Sequence, residues 1–121
     1  MLKFVVKETN TGFKFDLTGS NGKTIGRSEV YTTKAACLKG VESVKNNVVD
    51  ANFEDQTKTG FETVTNPKFE MYLDKSDAYR FRLKSRNGQN ILASDSYEDK
   101  KLCLATIQEI RNNVSKAKVD A

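Results

Sequence analysis

Two stretches of the chain alternate apolar and polar positions with period two and then change to helical spacing, both times in the same order. Phe13, Phe15 and Leu17 alternate with Lys14, Asp16 and Thr18, as Tyr79, Phe81 and Leu83 alternate with Arg80, Arg82 and Lys84. Each run predicts a half-buried strand. Asn21-Gly22 and Asn87-Gly88 follow and predict type I′ hairpin turns, in which both central residues take positive φ. Return strands are then expected at Lys23 to Ser28 and Gln89 to Ser94, and earlier strands at Lys3 to Glu8 and Phe69 to Leu73. Farther along, Cys37, Val41, Val44 and Val48 fall on one face of a helix, as do Cys103, Ile107, Ile110 and Val114, with Leu38 and Leu104 widening the two stripes. Thr33 and Asp99 suit the N-cap. The helices are expected to end near Asn46-Asn47 and Asn112-Asn113, because asparagine tolerates the left-handed conformation. The tails after them, 51–54 and 117–120, read as fourth strands.

The repetition is literal. Residues 13–51 superpose on 79–117 at an offset of 66 with 14 identities in 39 positions, among them Phe15/Phe81, Tyr31/Tyr97 and Cys37/Cys103. Upstream, Phe4 aligns with Phe69 at an offset of 65, so the second copy carries one extra residue around 76–78, where a loop can absorb it. A single three-strand, one-helix unit has little core of its own, so the two copies are expected to share one. The expected fold is α+β: one domain over 1–121, with repeat one at 1–54, a connector at 55–67 and repeat two at 68–121. Its two β-β-β-α-β units form one antiparallel sheet packed on two helices. The connector is rich in threonine, and its Phe61 and Val64 predict contact with the body of the protein.

The ordered elements F-x-F-x-L, N-G-x-x-I, S-x-x-Y and K-A-A-C-L-K-G-V-E-S-V-K-N-N resemble the YegP-like family of small bacterial proteins, most closely from Asn21 to Asn47. Repeat two keeps the frame but departs at 102–107. The resemblance implies that the last strand of each unit is exchanged onto the other. It supplies no catalytic or binding residues, because the family has no established biochemical function.

Composition narrows the function classes. With no histidine, the chain lacks the commonest general base at neutral pH, and with two cysteines and no further ligands it lacks a structural zinc set. No cofactor is expected. Cys37 and Cys103 would act as redox or nucleophilic thiols only if a neighbouring cation stabilised the thiolate; core packing is the alternative reading. Glu42, Asp95, Glu98 and Asp99 read as solvated charge, and Tyr31 and Tyr97 as staples packing the helix starts. The opening MLKFVVKETN does not read as an export signal, and no apolar run reaches membrane length, so a cytoplasmic monomer is expected. Net charge is +4, compatible with an acidic partner. The sharper feature is Arg80, Arg82, Lys84 and Arg86, spaced by two and expected on one face of one strand, where repeat one has Lys14, Asp16, Thr18 and Ser20; the alternative reading is an ordinary solvent-facing sheet side whose charges are offset by cross-strand partners such as Glu70 or Asp95. The leading reading is a non-enzymatic binding or structural module. Weak nucleic-acid binding through that basic face and a thiol-dependent activity are the alternatives.

Overall fold

In the computed structural model, which describes residues 1–121, the chain runs β1 (Lys3–Glu8), β2 (Phe13–Thr18), β3 (Thr24–Arg27), α1 (Lys34–Asp50), β4 (Asn52–Asp55), then β5 (Lys68–Leu73), β6 (Tyr79–Lys84), β7 (Asn90–Ala93), α2 (Lys100–Asn113) and β8 (Lys118–Asp120), with a 3-10 turn at Val114–Lys116 before β8. All eight strands lie in one sheet of order β4-β5-β6-β7-β3-β2-β1-β8. The exchange is visible in that order: β4 leaves repeat one to pair with β5, and β8 leaves repeat two to pair with β1. Both exchanged pairs are parallel, Asn52↔Lys68 to Asp55↔Met71 and Lys3↔Lys118 to Val5↔Asp120. The sheet is therefore mixed, antiparallel across its six central strands and parallel at either end. The five antiparallel pairings between β1 and β5 set those two strands in opposite directions, and each exchanged strand runs against the first strand of its own repeat and along that of the other.

The repeats meet at one registered pair, Arg27↔Ala93, between β3 and β7. Alternation turns Phe4, Phe15, Leu17, Phe69, Met71, Phe81, Leu83 and Leu92 toward one sheet face, where Cys37, Val41, Val44 and Val48 of α1 and Cys103, Ile107 and Ile110 of α2 complete a single buried cluster. Phe4, Phe15, Phe69 and Phe81 are fully buried, each worth roughly 1.5–3 kcal/mol of transfer free energy. Leu38 and Leu104 do not widen the stripes; both sit at the helix margins and are exposed.

The helix starts follow the caps: the Thr33 hydroxyl accepts the Ala36 N–H at 3.1 Å, and the Asp99 carboxylate accepts the Lys101 N–H at 2.8 Å. α1 does not stop at its asparagines. It continues to Asp50, because buried Asn47 is satisfied inside the helix, donating to the Ser43 carbonyl at 2.7 Å and accepting from the backbone N–H of Arg86 at 3.0 Å. The hairpin turns also differ from expectation. Positive φ occurs at Gly22 and Gly88 but at neither Asn21 nor Asn87. Gly22 N–H bonds the Gly19 carbonyl and Gly19 N–H bonds the Lys23 carbonyl, with the same pair of bonds at Ser85, Gly88 and Gln89. That is a type I turn closed by a left-handed glycine, which admits a longer loop than the two-residue hairpin.

Candidate functional site

The sheet face opposite the helices is where charge gathers. Register carries one row straight across it, from Glu54 through Glu70, Arg82, Ala93, Arg27, Asp16 and Val5 to Asp120. On the same face stand Lys68, Arg80 and Lys84 in the second half and Lys3, Lys7 and Lys14 in the first, so cations outnumber carboxylates in both. No helix covers this side. Only the connector crosses it, at the β4–β5 end.

Under the connector lies a buried charge cluster. Lys68 Nζ is 2.8 Å from Glu54 Oε1 and 3.2 Å from Glu70 Oε2, and all three residues are at least nine-tenths buried. The connector is tied down by the same groups: Val64 N–H donates to Glu54 at 2.9 Å and Lys68 donates to the Val64 carbonyl at 3.2 Å. Asn52 adds a bond to the Thr65 carbonyl at 2.9 Å. Phe61 is exposed, so the connector is held by polar bonds, with its phenylalanine left in solvent. Burial alone would raise the Glu54 carboxyl, but hydrogen bonds from Lys68, Gln56 and Val64 outweigh it and bring the pKa down to about 2. For Lys68, burial opposes the charge, while Glu54 and Glu70 hold the ammonium above its ordinary value. Glu70 is likewise lowered against its own burial, chiefly by Arg82 and Lys68.

Three of the four predicted ladder cations project from β6. Arg86 does not, because β6 ends at Lys84 and Arg86 belongs to the following turn, where Nη2 lies 2.5 Å from Asp50 Oδ2 on α1. Arg80 Nε is 2.7 Å from Asp74, Arg82 Nε is 2.5 Å from Glu70, and Lys84 Nζ reaches the same Glu70 at 3.7 Å. In repeat one the arrangement is inverted, with a buried carboxylate at the centre: Asp16 has Lys7 and Lys14 each at 3.0 Å. Burial would raise Asp16, and those two lysines hold it below its ordinary value. Sequence reasoning missed the Glu54–Lys68–Glu70 cluster. Its signal was the offset alignment itself, which sets Glu70 where repeat one has Val5.

The remaining candidates pack. Cys37 and Cys103 are fully buried, and burial raises both thiols, that of Cys103 to about 11, away from a reactive thiolate. Tyr31 and Tyr97 form bridges to Phe13 and Tyr79, placing each ring beside its helix. Glu98 and Asp99 are exposed, Glu42 and Glu98 form no ion pair, and Asp95 is exposed and pairs with Arg27. No three His, Cys, Asp or Glu side chains assemble into a set that could hold a metal ion, and no helix is long and apolar enough to cross a membrane.

Comparison with known proteins matches this geometry to one family. A model described as a domain of unknown function (DUF1508) fits residues 8–55 and again 74–120, one match for each repeat. The UPF0339 protein YegP of Escherichia coli is 32% identical over 114 residues, spanning 94% of this chain and 84% of that protein. A UPF0339 protein of Methanosarcina acetivorans is 44% identical over 52 residues, which is 43% of this chain but 90% of that protein, so it has the length of one repeat. The solution structure of a protein of unknown function, yegP from E. coli, superposes with a TM-score of 0.78 over 98% of this chain and 90% of that one, at 25% identity.

Proposed function

This chain belongs to the YegP-like DUF1508 family, with two copies of the domain in one molecule, and from that premise we propose that it is a non-enzymatic binding module whose open sheet face takes an acidic macromolecule. One observation carries the reading: the face away from the helices is left open from β6 to β1 and bears a surplus of cations held in fixed positions by shared carboxylates. Two lysines share Asp16, and Lys68, Arg82 and Lys84 share Glu70, so each cluster keeps excess positive charge after its internal pairing. Ordered cations of this kind lose less side-chain entropy on docking than free ones. Arg80, Arg82 and Lys84, with Arg86 at the margin, are the ligand-binding candidates of the second half; Lys7, Lys14 and Arg27 extend the surface into the first. The module acts as a monomer in the cytoplasm, one chain supplying both halves of the sheet.

An acidic protein surface fits better than a nucleic acid. The aromatic side chain that the strands place on this face, Tyr72, has its ring covered by the Arg82 guanidinium at 4.4 Å, so the strands offer a base no open ring.

The test uses fluorescence anisotropy with labelled poly-glutamate, single-stranded RNA and duplex DNA at several salt concentrations. Lys7→Gln with Lys84→Gln is the informative variant, because Asp16 keeps Lys14 and Glu70 keeps Lys68 and Arg82, so neither carboxylate is orphaned. Poly-glutamate is expected to bind at low salt and to weaken severalfold in the variant. Tighter binding of RNA or DNA with a steep salt slope would transfer the face to nucleic acid. No binding of any polyanion at low salt would end the proposal.

A further inference from the structure

A cavity of about 720 Å³ opens between the β2–β3 hairpin of repeat one and α2, with Lys23, Thr24, Asp95, Ser96, Thr106 and Glu109 among its walls. It lies where β3 and β7 part: continuing the Arg27↔Ala93 register would set Thr24 opposite Ser96, and no pairing forms there. The duplication predicts a twin between the β6–β7 hairpin and α1. That twin exists but encloses only about 280 Å³.

The difference traces to particular residues. In the twin, Asn47 of α1 accepts the Arg86 N–H and Asp50 pairs with the Arg86 side chain, so the hairpin turn is drawn onto the helix. The equivalent residues here are Asn113, Lys116 and Ser20. Asn113 makes the same back-bond to the carbonyl four residues earlier, Glu109, that Asn47 makes to Ser43, but its Oδ1 accepts no turn N–H, and Ser20 is taken by the amino terminus of Met1 at 2.8 Å, so nothing ties this turn to α2. Helix packing differs as well. Gly40 of α1 admits Tyr31, whose hydroxyl would lie 2.4 Å from a Cβ there, and Tyr31 stacks on Phe15. At the matching place α2 carries Thr106, a residue with the very atoms Gly40 leaves out.

The charges on the walls are also specific to the open copy. Lys23 and Glu109 replace Gln89 and Ser43, and although they line one cavity from opposite sides, neither forms an ion pair. Arg27 and Asp95 pair with each other. The volume lies within the roughly 300–1,000 Å³ usual for small-ligand pockets, and Thr24, Ser96 and Thr106 are among the lining residues, the Thr106 hydroxyl donating to the Leu102 carbonyl.

We infer that this groove binds a small zwitterion, with the anionic end on Lys23 and the cationic end on Glu109. This site shares Arg27 with the sheet-face surface but stands without that reading. Titration of the 15N-labelled full chain with glycine and with 6-aminohexanoate, followed by amide shifts, tests it against acetate and methylammonium as one-ended probes. Saturable shifts at 23–25, 95–97 and 106–109 are expected with a zwitterion, with affinity at least about tenfold above either one-ended probe, as two charged contacts require. Lys23→Gln and Glu109→Gln should each weaken binding about tenfold. Ser20→Arg with Lys116→Asp transplants the tie of the closed twin and should abolish binding while leaving the remaining amide shifts in place. Two results would overturn the inference: no saturable shift with either zwitterion up to about 20 mM, or acetate binding as tightly as the zwitterions and unaffected by Glu109→Gln.

Discussion

The two ends of the sheet hold the same pair of strands in the same register and differ in what lies over them. At one end β4 adds to β5, and Lys68 is buried between Glu54 and Glu70 beneath the connector. At the other, β8 adds to β1, and the equivalent lysine, Lys3, stands in solvent with Asp120 4.0 Å away. Backbone topology therefore came with the duplication, while the buried charge came with the connector, which only one end possesses, and with Glu70 where the other end has Val5. A shared fold fixes where a side chain points; what covers it decides whether its charge is a structural element or a solvated one.

The sharpest way to break that comparison is to remove each lysine. Lys68→Met leaves two buried carboxylates facing one another and should cost about 3–5 kcal/mol, whereas Lys3→Met should cost no more than about 1 kcal/mol. Urea unfolding of both variants measures the gap, and equal losses would mean that the connector does not bury its charges.

The next effect is on packing. Gly40→Thr gives α1 the residue that α2 has, but its Cβ would meet the Tyr31 hydroxyl, so a loss of about 1–3 kcal/mol is expected from overpacking. The reverse exchange, Thr106→Gly, should cost under about 1 kcal/mol, the propensity difference alone. Thermal unfolding compared between the two reports whether the tyrosines are held differently.

Acid sharpens the same contrast. Glu54, Glu70 and Asp16 all have folded pKa values below their unfolded ones, so their contribution to stability is complete above about pH 4.5 and is lost as pH falls through the folded values, toward 2 for Glu54. Glu54→Gln should therefore flatten the loss of stability between pH 4.5 and 2, measured by urea midpoints across that range. An unchanged slope would remove Glu54 from the account. Smallest of all, Arg86→Ala should cost about 0–1 kcal/mol, since both partners of its ion pair are exposed, and Ser20→Ala still less.

Much of this fold was legible because local signals agreed with the global pattern. The limits of β1, the capping residues Thr33 and Asp99, the apolar helical stripes and the fourth strands all follow from periodicity repeated at a fixed offset, whereas the exchange of those strands was implied by the family resemblance. Three of the misses share one cause, which is that a distant segment overruled a local preference. Asn47 reads as a helix end until Arg86 supplies the partner that lets it stay buried in mid-helix. Arg86 reads as a fourth rung until the bulged return of β7 ends the ladder at Lys84. Lys68 reads as an ordinary strand lysine until the connector closes over it. For the candidate surface, spacing made the cations visible and pointed to Glu70 as a cross-strand partner, as found, whereas Asp95 pairs with Arg27 instead and the Asp74 partner of Arg80 could be placed only once the turn was known.

Mapping where an acidic probe lands on the full chain tests the central claim most directly. Amide and side-chain shifts of the 15N-labelled protein titrated with poly-glutamate at low salt should move at Lys7, Lys14, Arg27, Arg80 and Arg82, on the open face, while the exposed helix residues Lys39 and Lys101 stay in place. Shifts concentrated on α1 and α2, with the open face unmoved, would contradict it.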